Sequence, residues 1–379
     1  MRILFVDDEV RVLEGLERSL QMLVDDDWEL EFVASGAAAL ARVAEQEFDA
    51  VVTDMRMPGI DGAELLARAK EIAPRTVRIV LSGQMEASNA MRAMERAHQI
   101  LGKPCKADLV LDVLRSSTRF RGLLEDDGFR RAVISIDRLP AVPSTYREIE
   151  AELARPTASA ATVASIVAKD PGLTARMLQV ANSPFFGGGR RIDDVRQAIS
   201  RLGLQMISSL ALAAVFENHE SSARELDLGA LARSALRTAT IAGRIAPSDG
   251  AHPYLAGMLS EVGRVVFALT QPQKFDAAER AARQPGHDLL TVEREHWGVG
   301  HADVGAYLLA LWGLPEVVVD AVWAHHRPVE ELLDEGANRV VVTTALATKL
   351  GDGATISDAL LKRCGVGRAV VERALEEAA

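Results

Sequence analysis

The first 120 residues alternate short apolar runs with amphipathic stretches. The amphipathic stretches keep helical spacing, as Leu13, Leu16, Leu20 and Leu23 do. Strands that alternate with helices predict a parallel sheet with helices on both faces. The predicted strands are Arg2–Asp7, Glu29–Ala34, Ala50–Asp54, Arg78–Ser82 and Gln99–Leu101, and the predicted helices are 11–24, 36–46, 62–72, 86–97 and 106–120.

After residue 120 the strand pattern stops and helical periods dominate to the end of the chain. A charged connector comes first, followed by the prolines Pro140 and Pro143. The sequence therefore predicts a multidomain protein, an α/β domain followed by an all-α helical domain. The predicted helices of the second part are 144–154, 159–168, 171–181, 193–201, 203–218, 227–246, 252–269, 274–284, 289–296, 301–311, 315–324, 337–350 and 356–377.

The composition narrows the class of protein. The 379 residues are too many for one typical domain, and the hydrophobic fraction of 48% is ample for buried cores. The net charge of −11 opposes binding to nucleic acid, because phosphate backbones repel an acidic chain. Two cysteines, Cys105 and Cys364, are typical of a reducing compartment. The chain has no apolar stretch of about 18 residues, so we expect a cytoplasmic protein and no membrane span.

Carboxylates, a hydroxyl and a lysine follow the predicted strands. Asp7 ends the first strand and Asp8 follows it, Asp54 and Ser82 end the third and fourth, and Lys103 follows the fifth. Sites in such sheets gather at the carboxyl ends of the strands. Carboxylate oxygens suit Mg²⁺, and a lysine suits phosphoryl oxygens. The pattern predicts a pocket for a divalent metal and a phosphoryl group, which is typical of a switch.

The pattern of residues 1–120 resembles the receiver domain of two-component response regulators, including the turn Met57-Pro58-Gly59 and Gly62. The resemblance implies a doubly wound five-stranded parallel sheet. It also implies phosphorylation by a sensor histidine kinase or a small phosphodonor. The implied roles are Asp54 as phosphoacceptor, Asp7, Asp8, Asp54 and the main-chain carbonyl of Arg56 as Mg²⁺ ligands, and Ser82 and Lys103 as the switch hydroxyl and the phosphoryl-contacting lysine.

One position departs from the family pattern. Receivers often carry an aromatic residue three positions before the lysine, and here that residue is Ile100. The usual coupling of this aromatic ring to the switch hydroxyl is therefore not expected. We expect the signal to leave through the fifth predicted helix into the connector.

Five of the eight histidines fall between residues 287 and 326, and His301, His325 and His326 are the suggestive ones. Neutral imidazole binds transition metals well, which favours a metal site. The competing interpretation is a set of helix-end histidines that bond to the backbone or to carboxylates. Adjacent histidines on a helix point to different faces, which favours this second interpretation.

Residues 134–330 resemble the HDOD domain, a relative of the HD and HD-GYP phosphohydrolases. Characteristic stretches are Leu139–Pro143, Ile166–Leu178 and Trp312–Pro315. The active relatives carry a His-Asp doublet where this chain has Ser260 and Glu261. They also place a histidine in the preceding helix and a Gly-Tyr-Pro triplet after the histidine pair, and this chain has neither. A hydrolytic centre needs three or more protein ligands and an open position. We therefore expect Ser260, Glu261, His301, His325 and His326 to form a degenerate, non-catalytic site without a metal.

The expected domains are a receiver at 1–120, a helical connector at 121–136, an HDOD domain at 137–332 and a C-terminal helical extension at 333–379. The extension packs on the helical domain or makes a homodimer contact, and the sequence leaves both open. The expected function is phosphorelay signalling through contacts of the HDOD domain with an unknown downstream protein.

Two other functions stay open at the level of sequence. One is a cyclic-dinucleotide or nucleotide phosphohydrolase with an atypical metal site, and the missing doublet argues against it. The other is a nucleotide-binding module that uses the degenerate pocket.

Overall fold

A computed structural model of the chain describes residues 1–24, 28–82, 96–103, 105–119, 124, 126–136, 143–153, 155, 157–182, 191–204, 207 and 223–378. The chain forms two compact units. The first is built mainly on Met1–Asp137, and the second mainly on Arg138–Leu178, Arg191–Leu309 and Leu314–Ala379. Within the described ranges, no helix has both the length and the apolarity needed to cross a bilayer.

The first unit contains a five-stranded, wholly parallel sheet in the order β2-β1-β3-β4-β5. This confirms the α/β prediction. The strands β1, β3 and β4 are buried along almost their whole length, as central strands covered on both faces must be. The strands are β1 (Arg2–Val6), β2 (Glu29–Val33), β3 (Ala50–Asp54), β4 (Val77–Ser82) and β5 (Gln99–Gly102).

The helices of the first unit lie close to their predicted positions. The third begins at its N-cap Asp61, whose side chain accepts a hydrogen bond of 2.8 Å from the main-chain N–H of Glu64. The predicted helix at 86–97 falls largely on residues outside the described ranges. The helices are α1 (Val10–Gln21), α2 (Gly36–Glu45), α3 (Gly62–Ile72), α4 (Ala107–Thr118) and α5 (Asp127–Ile134).

Gly62 allows α3 to start directly against the end of β3. A Cβ at this position would lie 3.0 Å from Cα of Met55 and 3.1 Å from the carbonyl carbon of Asp54. The main-chain N–H of Gly62 donates a hydrogen bond of 3.0 Å to the oxygen of Met55. The loop after β3 is therefore held tightly, and the carboxylate of Asp54 has a defined place at the sheet edge.

His98, just before β5, links the sheet to the connector helix α5. Its Nδ1 accepts a hydrogen bond of 2.9 Å from the main-chain N–H of Arg78, so the ring proton is on Nε2. That Nε2–H donates to the main-chain oxygen of Ile134 at 2.8 Å. The side chain is 2% exposed, and burial together with the charge of Arg78 holds the pKa of His98 well below its usual value.

Helices joined by turns and loops make up the described residues of the second unit, which contain no strand, as predicted. The helices are α6 (Pro143–Leu153), α7 (Ala160–Val167), α8 (Pro171–Asn182), α9 (Val195–Leu202), α10 (Leu228–Ile245), α11 (His252–Leu259), α12 (Val262–Thr270), α13 (Pro272–Ala282), α14 (Leu289–Trp297), α15 (His301–Leu311), α16 (Glu316–Ala324), α17 (Val329–Asp334), α18 (Arg339–Gly351), α19 (Asp358–Arg363) and α20 (Arg368–Glu377).

Two predicted helices are broken in the structure. The prediction of one helix over 252–269 was wrong, because the chain leaves regular helix between Leu259 and Val262. The prediction over 356–377 was also wrong, because Gly365 takes a φ of +69° and separates α19 from α20. Helix α17 was not predicted. Apolar periodicity runs across short breaks, so it did not reveal them.

The C-terminal extension packs on the helical unit. Helix α18 contacts α10, α11 and α16, and α20 contacts α10. Almost all of α18 is buried, including Thr344, Leu346 and Ala347. The extension thus contributes to the same core as the preceding helices, which confirms the first of the two alternatives; the homodimer contact stays a prediction.

Acid should destabilise the first unit through His98. Its folded-state pKa lies below the unfolded value of about 6.5, so the stabilisation is present above that pH and falls as the pH drops below it. The largest slope for one such group is about 1.4 kcal/mol per pH unit. Urea unfolding of the full chain at several pH values should show a shallower acid decline for His98→Asn than for wild type. His287→Asn, an exposed position, is the control. Equal slopes in all three proteins would contradict the assignment.

Candidate functional site

The parallel register gathers the predicted residues at one edge of the sheet. Val6 pairs with Thr53, so Asp7 follows at the level of Asp54. Asp54 pairs with Leu81, and Ser82 pairs with Gly102, the residue before Lys103. Four side chains from β1, β3, β4 and β5 are thereby brought to the carboxyl ends of adjacent strands, as the sequence predicted.

Lys103 is the cation of this edge. Its Nζ lies 2.5 Å from Oδ2 of Asp7 and also contacts Oδ1 of Asp54. Burial lowers the pKa of Lys103, but the hydrogen bonds and charges of Asp54 and Asp7 outweigh burial and raise the pKa overall. The ammonium therefore stays charged between two carboxylates that are themselves almost fully buried.

The remaining predicted residues lie in the strands of this edge or in the loops that follow them. The main-chain N–H of Arg56 donates to Oδ2 of Asp54 at 2.5 Å, which fixes the carboxylate in the loop after β3. Asp8 is exposed at the rim, and Ser82 is buried at the end of β4. Ile100 is buried in β5, where it pairs with Val80. Three carboxylates and one ammonium leave this edge with a net charge of about −2, and its oxygen donors are those that Mg²⁺ prefers.

A second group of polar side chains lies in the core of the helical unit. Glu261, His301, His325 and His326 each offer one ligand atom, and these four atoms lie within 4.8 Å of one another. The structure thus brings together four of the five residues predicted for the degenerate site. Ser260 is buried beside them, and its hydroxyl donates to the main-chain oxygen of Gly257 at 2.9 Å.

A close crossing of two helices places Glu261 beside His301. A Cβ on Gly263 would lie 2.7 Å from the carbonyl carbon of His301 and 2.9 Å from the nitrogen of Gly305. Only glycine allows the backbone of α12 to approach α15 so closely. Because Glu261 immediately precedes α12 and His301 is the first residue of α15, this crossing brings their side chains into the same pocket.

The three imidazole rings converge through their Nε2 atoms. Nε2 of His301 lies 3.3 Å from Nε2 of His325 and 3.0 Å from Nε2 of His326. Nδ1 of His301 lies 2.7 Å from Oε2 of Glu293, and Nδ1 of His325 lies 2.6 Å from the main-chain oxygen of Val322. Oε1 of Glu261 lies 3.9 Å from Nε2 of His325.

Burial and charge act in opposite directions on these rings. Burial lowers the pKa of His301, but Glu293 outweighs burial and raises it overall. Burial, with the charge of His301, lowers the pKa of His325 to about 4, and burial with the neighbouring rings also lowers the pKa of His326. Burial raises the pKa of Glu261, but His301 and Arg264 more than compensate and lower it.

His325 and His326 share one site, although adjacent histidines were expected to point to different helix faces. Helix α16 ends at Ala324, so His325 and His326 lie in the following turn and do not occupy separate helix faces. Their ring centroids are only 4.0 Å apart. Glu293 was not predicted as part of the site. It lies on a different helix, eight positions before His301, and this separation matches no known motif spacing.

The comparisons with known proteins agree with both units. The family model described as the response regulator receiver domain matches residues 3–115, and the model described as the HDOD domain matches residues 139–328. The second match covers half of the chain. The chain therefore belongs to the HDOD domain family and carries an N-terminal receiver domain, the architecture of a two-component response regulator.

Solved structures share this fold. The MmoQ response regulator of Methylococcus capsulatus is 28% identical, with a TM-score of 0.53 over 63% of this chain and 98% of that chain. A virulence factor (cj0248) of Campylobacter jejuni is 22% identical, with a TM-score of 0.52 over 66% of this chain and 97% of that chain, and supports the fold alone.

Curated relatives match shorter parts of their own length. An uncharacterized protein of Treponema pallidum is 30% identical over 50% of this chain and 38% of its own. The hydrogenase transcriptional regulatory protein HoxA of Cupriavidus necator is 32% identical over 33% of this chain and 25% of its own. The matched part therefore spans well under half of these two proteins.

Gly263→Ala should disrupt the second group of side chains. The added methyl meets backbone atoms of α15, so α12 must move and the free energy of unfolding should fall by about 1–3 kcal/mol. Thermal unfolding of the full chain measures the loss. Gly300→Ala is the matched control, because a Cβ there meets its nearest atoms at an ordinary 3.6 Å. A stability loss as large for Gly300→Ala would mean that the crossing is not the cause.

Proposed function

We propose that the chain is a phosphorylation-dependent response regulator in which Asp54 accepts the phosphoryl group. The observation that supports this most directly is the pairing of Asp54 with Lys103 beside Asp7 at the edge of the sheet. In the reaction, a carboxylate oxygen of Asp54 forms a bond to phosphorus while the bond from phosphorus to the donor breaks. The donor is a phosphohistidine of a sensor kinase or a small acyl phosphate.

The residues of this edge suit a bound Mg²⁺. Asp7, Asp8, Asp54 and the main-chain carbonyl of Arg56 would hold it, and its two charges would balance the net charge of about −2. When bound, Mg²⁺ neutralises charge on phosphoryl oxygens. Lys103 adds a cation on the same side, and Arg56 orients the Asp54 carboxylate through its main-chain N–H.

Phosphorylation changes the charge at the end of β3. The acyl phosphate carries nearly two negative charges at pH 7 in place of the single charge of the Asp54 carboxylate, and it adds phosphoryl oxygens that accept hydrogen bonds, which is enough to reorder neighbouring groups. We propose that the hydroxyl of Ser82 donates a hydrogen bond to the phosphoryl group. We propose also that the resulting conformational change passes through α4 into the connector. Ile100 has no aromatic ring that could turn inward when the hydroxyl moves, so this pathway replaces an aromatic relay.

We propose further that the HDOD domain signals by protein–protein contacts and not by hydrolysis. Serine is a poor metal ligand, and the hydroxyl of Ser260 is already bonded to Gly257. The group of Glu261 with three histidines is one specific observation in favour of a phosphohydrolase. Hydrolysis of a cyclic dinucleotide by metal-loaded wild type, absent from His326→Gln, would favour that second candidate.

Asp54→Asn should abolish phosphorylation, because an amide oxygen is a much weaker nucleophile than a carboxylate. Labelling of the full chain with acetyl [³²P]phosphate and Mg²⁺ should fall to background. Asp61→Asn is the matched control, because asparagine retains the N-cap of α3. Undiminished labelling of Asp54→Asn would refute the assignment of the phosphoacceptor.

Lys103→Met should strengthen Mg²⁺ binding while it weakens phosphorylation. Removal of the ammonium makes the edge more negative and removes its repulsion of Mg²⁺. Two unit charges about 4 Å apart near a protein surface interact by about 4 kcal/mol. About a third of that energy is enough for a tenfold change in affinity. Calorimetric Mg²⁺ titration should give a dissociation constant about tenfold lower than that of wild type. Lys106→Met, an exposed lysine at the N-cap of α4, should leave it unchanged. Weaker Mg²⁺ binding by Lys103→Met would contradict the proposed competition between the two cations.

A further inference from the structure

The tautomers of His301 and His325 follow from their outer partners. The carbonyl oxygen of Val322 can only accept, so Nδ1 of His325 carries a proton and donates. Oε2 of Glu293 accepts from the main-chain N–H of His301 at 2.8 Å and from Nδ1 of the same residue at 2.7 Å. In the neutral form of both rings the lone pair is therefore on Nε2.

These two lone pairs face each other across 3.3 Å, with Nε2 of His326 3.0 Å from that of His301. Two lone pairs at this distance repel each other unless a proton or a metal ion lies between them. Two nitrogens bound at 2.0–2.1 Å to one tetrahedral ion would be about 3.3 Å apart. The spacing of the rings thus matches the spacing of ligands around a single ion.

We propose that Glu261, His301, His325 and His326 bind one transition-metal dication, with Zn²⁺ as the representative ion. Three imidazole nitrogens and one carboxylate oxygen favour such an ion over Mg²⁺ or Ca²⁺. The carboxylates of Glu261 and Glu293 supply two negative charges, which balance the dication. Glu293 and the carbonyl of Val322 hold the outer nitrogens of two ligand rings, the usual support for metal-bound histidine.

This site departs from the expectation that the helical domain holds no metal. That expectation rested on the missing doublet, but the ligands come from three separate places: the turn before α12, the start of α15 and the turn after α16. Four protein ligands would fill a tetrahedral site and leave no open position for a reactive water, so the site is structural. The ion would then tie these three segments of the helical core together.

A further contact fixes two of these segments relative to each other. Nε1 of Trp323 in α16 donates to Oδ1 of Asp303 in α15 at 2.9 Å, and Oδ2 of Asp303 accepts from the N–H of Gly300 at 3.0 Å. His301 and His325 are close neighbours of these residues in the chain. The segments that carry His301 and His325 are therefore held by preformed contacts, which lowers the cost of ordering the ligands on metal binding.

The test measures Zn²⁺ binding by the full chain in excess Mg²⁺, which keeps the receiver edge occupied. Chelator-stripped wild type should take up about one Zn²⁺ per chain with a rise in melting temperature. His326→Gln, which removes the most accessible ring, should lose at least tenfold in affinity. Glu293→Gln should lose about 10–100-fold, because it removes only the outer partner. His287→Gln, at an exposed position outside the group, should bind as wild type does.

Wild type loaded with Co²⁺ provides a measurement that needs no variant. Four-coordinate Co²⁺ with nitrogen and oxygen ligands should give visible absorption bands, and one equivalent of Zn²⁺ should abolish them. No stoichiometric uptake by wild type, six-coordinate Co²⁺ bands, or equal uptake by wild type and His326→Gln would each overturn the proposal. These outcomes leave the phosphorylation of Asp54 untouched, since that reaction is followed separately by labelling.

Discussion

The parallel register of the sheet is the constraint on which the receiver unit depends. Each strand ends at the same edge, so one acidic or basic residue after each strand is enough to create a concentrated site. The buried contact of Lys103 with Asp7 and Asp54 then stabilises charges that burial alone would disfavour. Gly62 keeps the next helix tight against this edge, and the Asp54 carboxylate is held there by the chain that follows it.

The helical unit depends on a different constraint, the close approach of two helices at Gly263 and Gly305. This crossing brings Glu261 to His301, while the end of α16 brings His325 and His326 to the same place. Buried polar groups at such a density need partners, and Glu293 and the carbonyl of Val322 provide two of them. The Nε2 atoms of the three rings face one another, and a cation bound between them would stabilise the group most.

The two sites differ in how far they could be predicted. All five strands and the positions of Asp7, Asp54, Ser82 and Lys103 could be predicted, because each strand is a local pattern and parallel pairing places the carboxyl ends together. The sequence identified the histidines of the second group as candidates, but it could not predict that they lie together. Adjacent histidines at 325 and 326 argued against a shared site, and only the end of α16 at Ala324 removes that objection. The helix also breaks at Ser260 and Glu261, although the apolar periodicity of the sequence continues across these two residues.

The sequence by itself determined the two-part architecture, the strands, most of the helices and the likeness to receiver and HDOD domains. Local periodicity and short motifs are sufficient to specify these features. Only the tertiary structure decided that the C-terminal helices belong to the helical core, that His98 bonds to the connector, and that Glu293 supports His301. Those contacts join residues on different elements. Such pairing depends on helix crossings and buried hydrogen bonds, so it leaves no characteristic spacing along the chain.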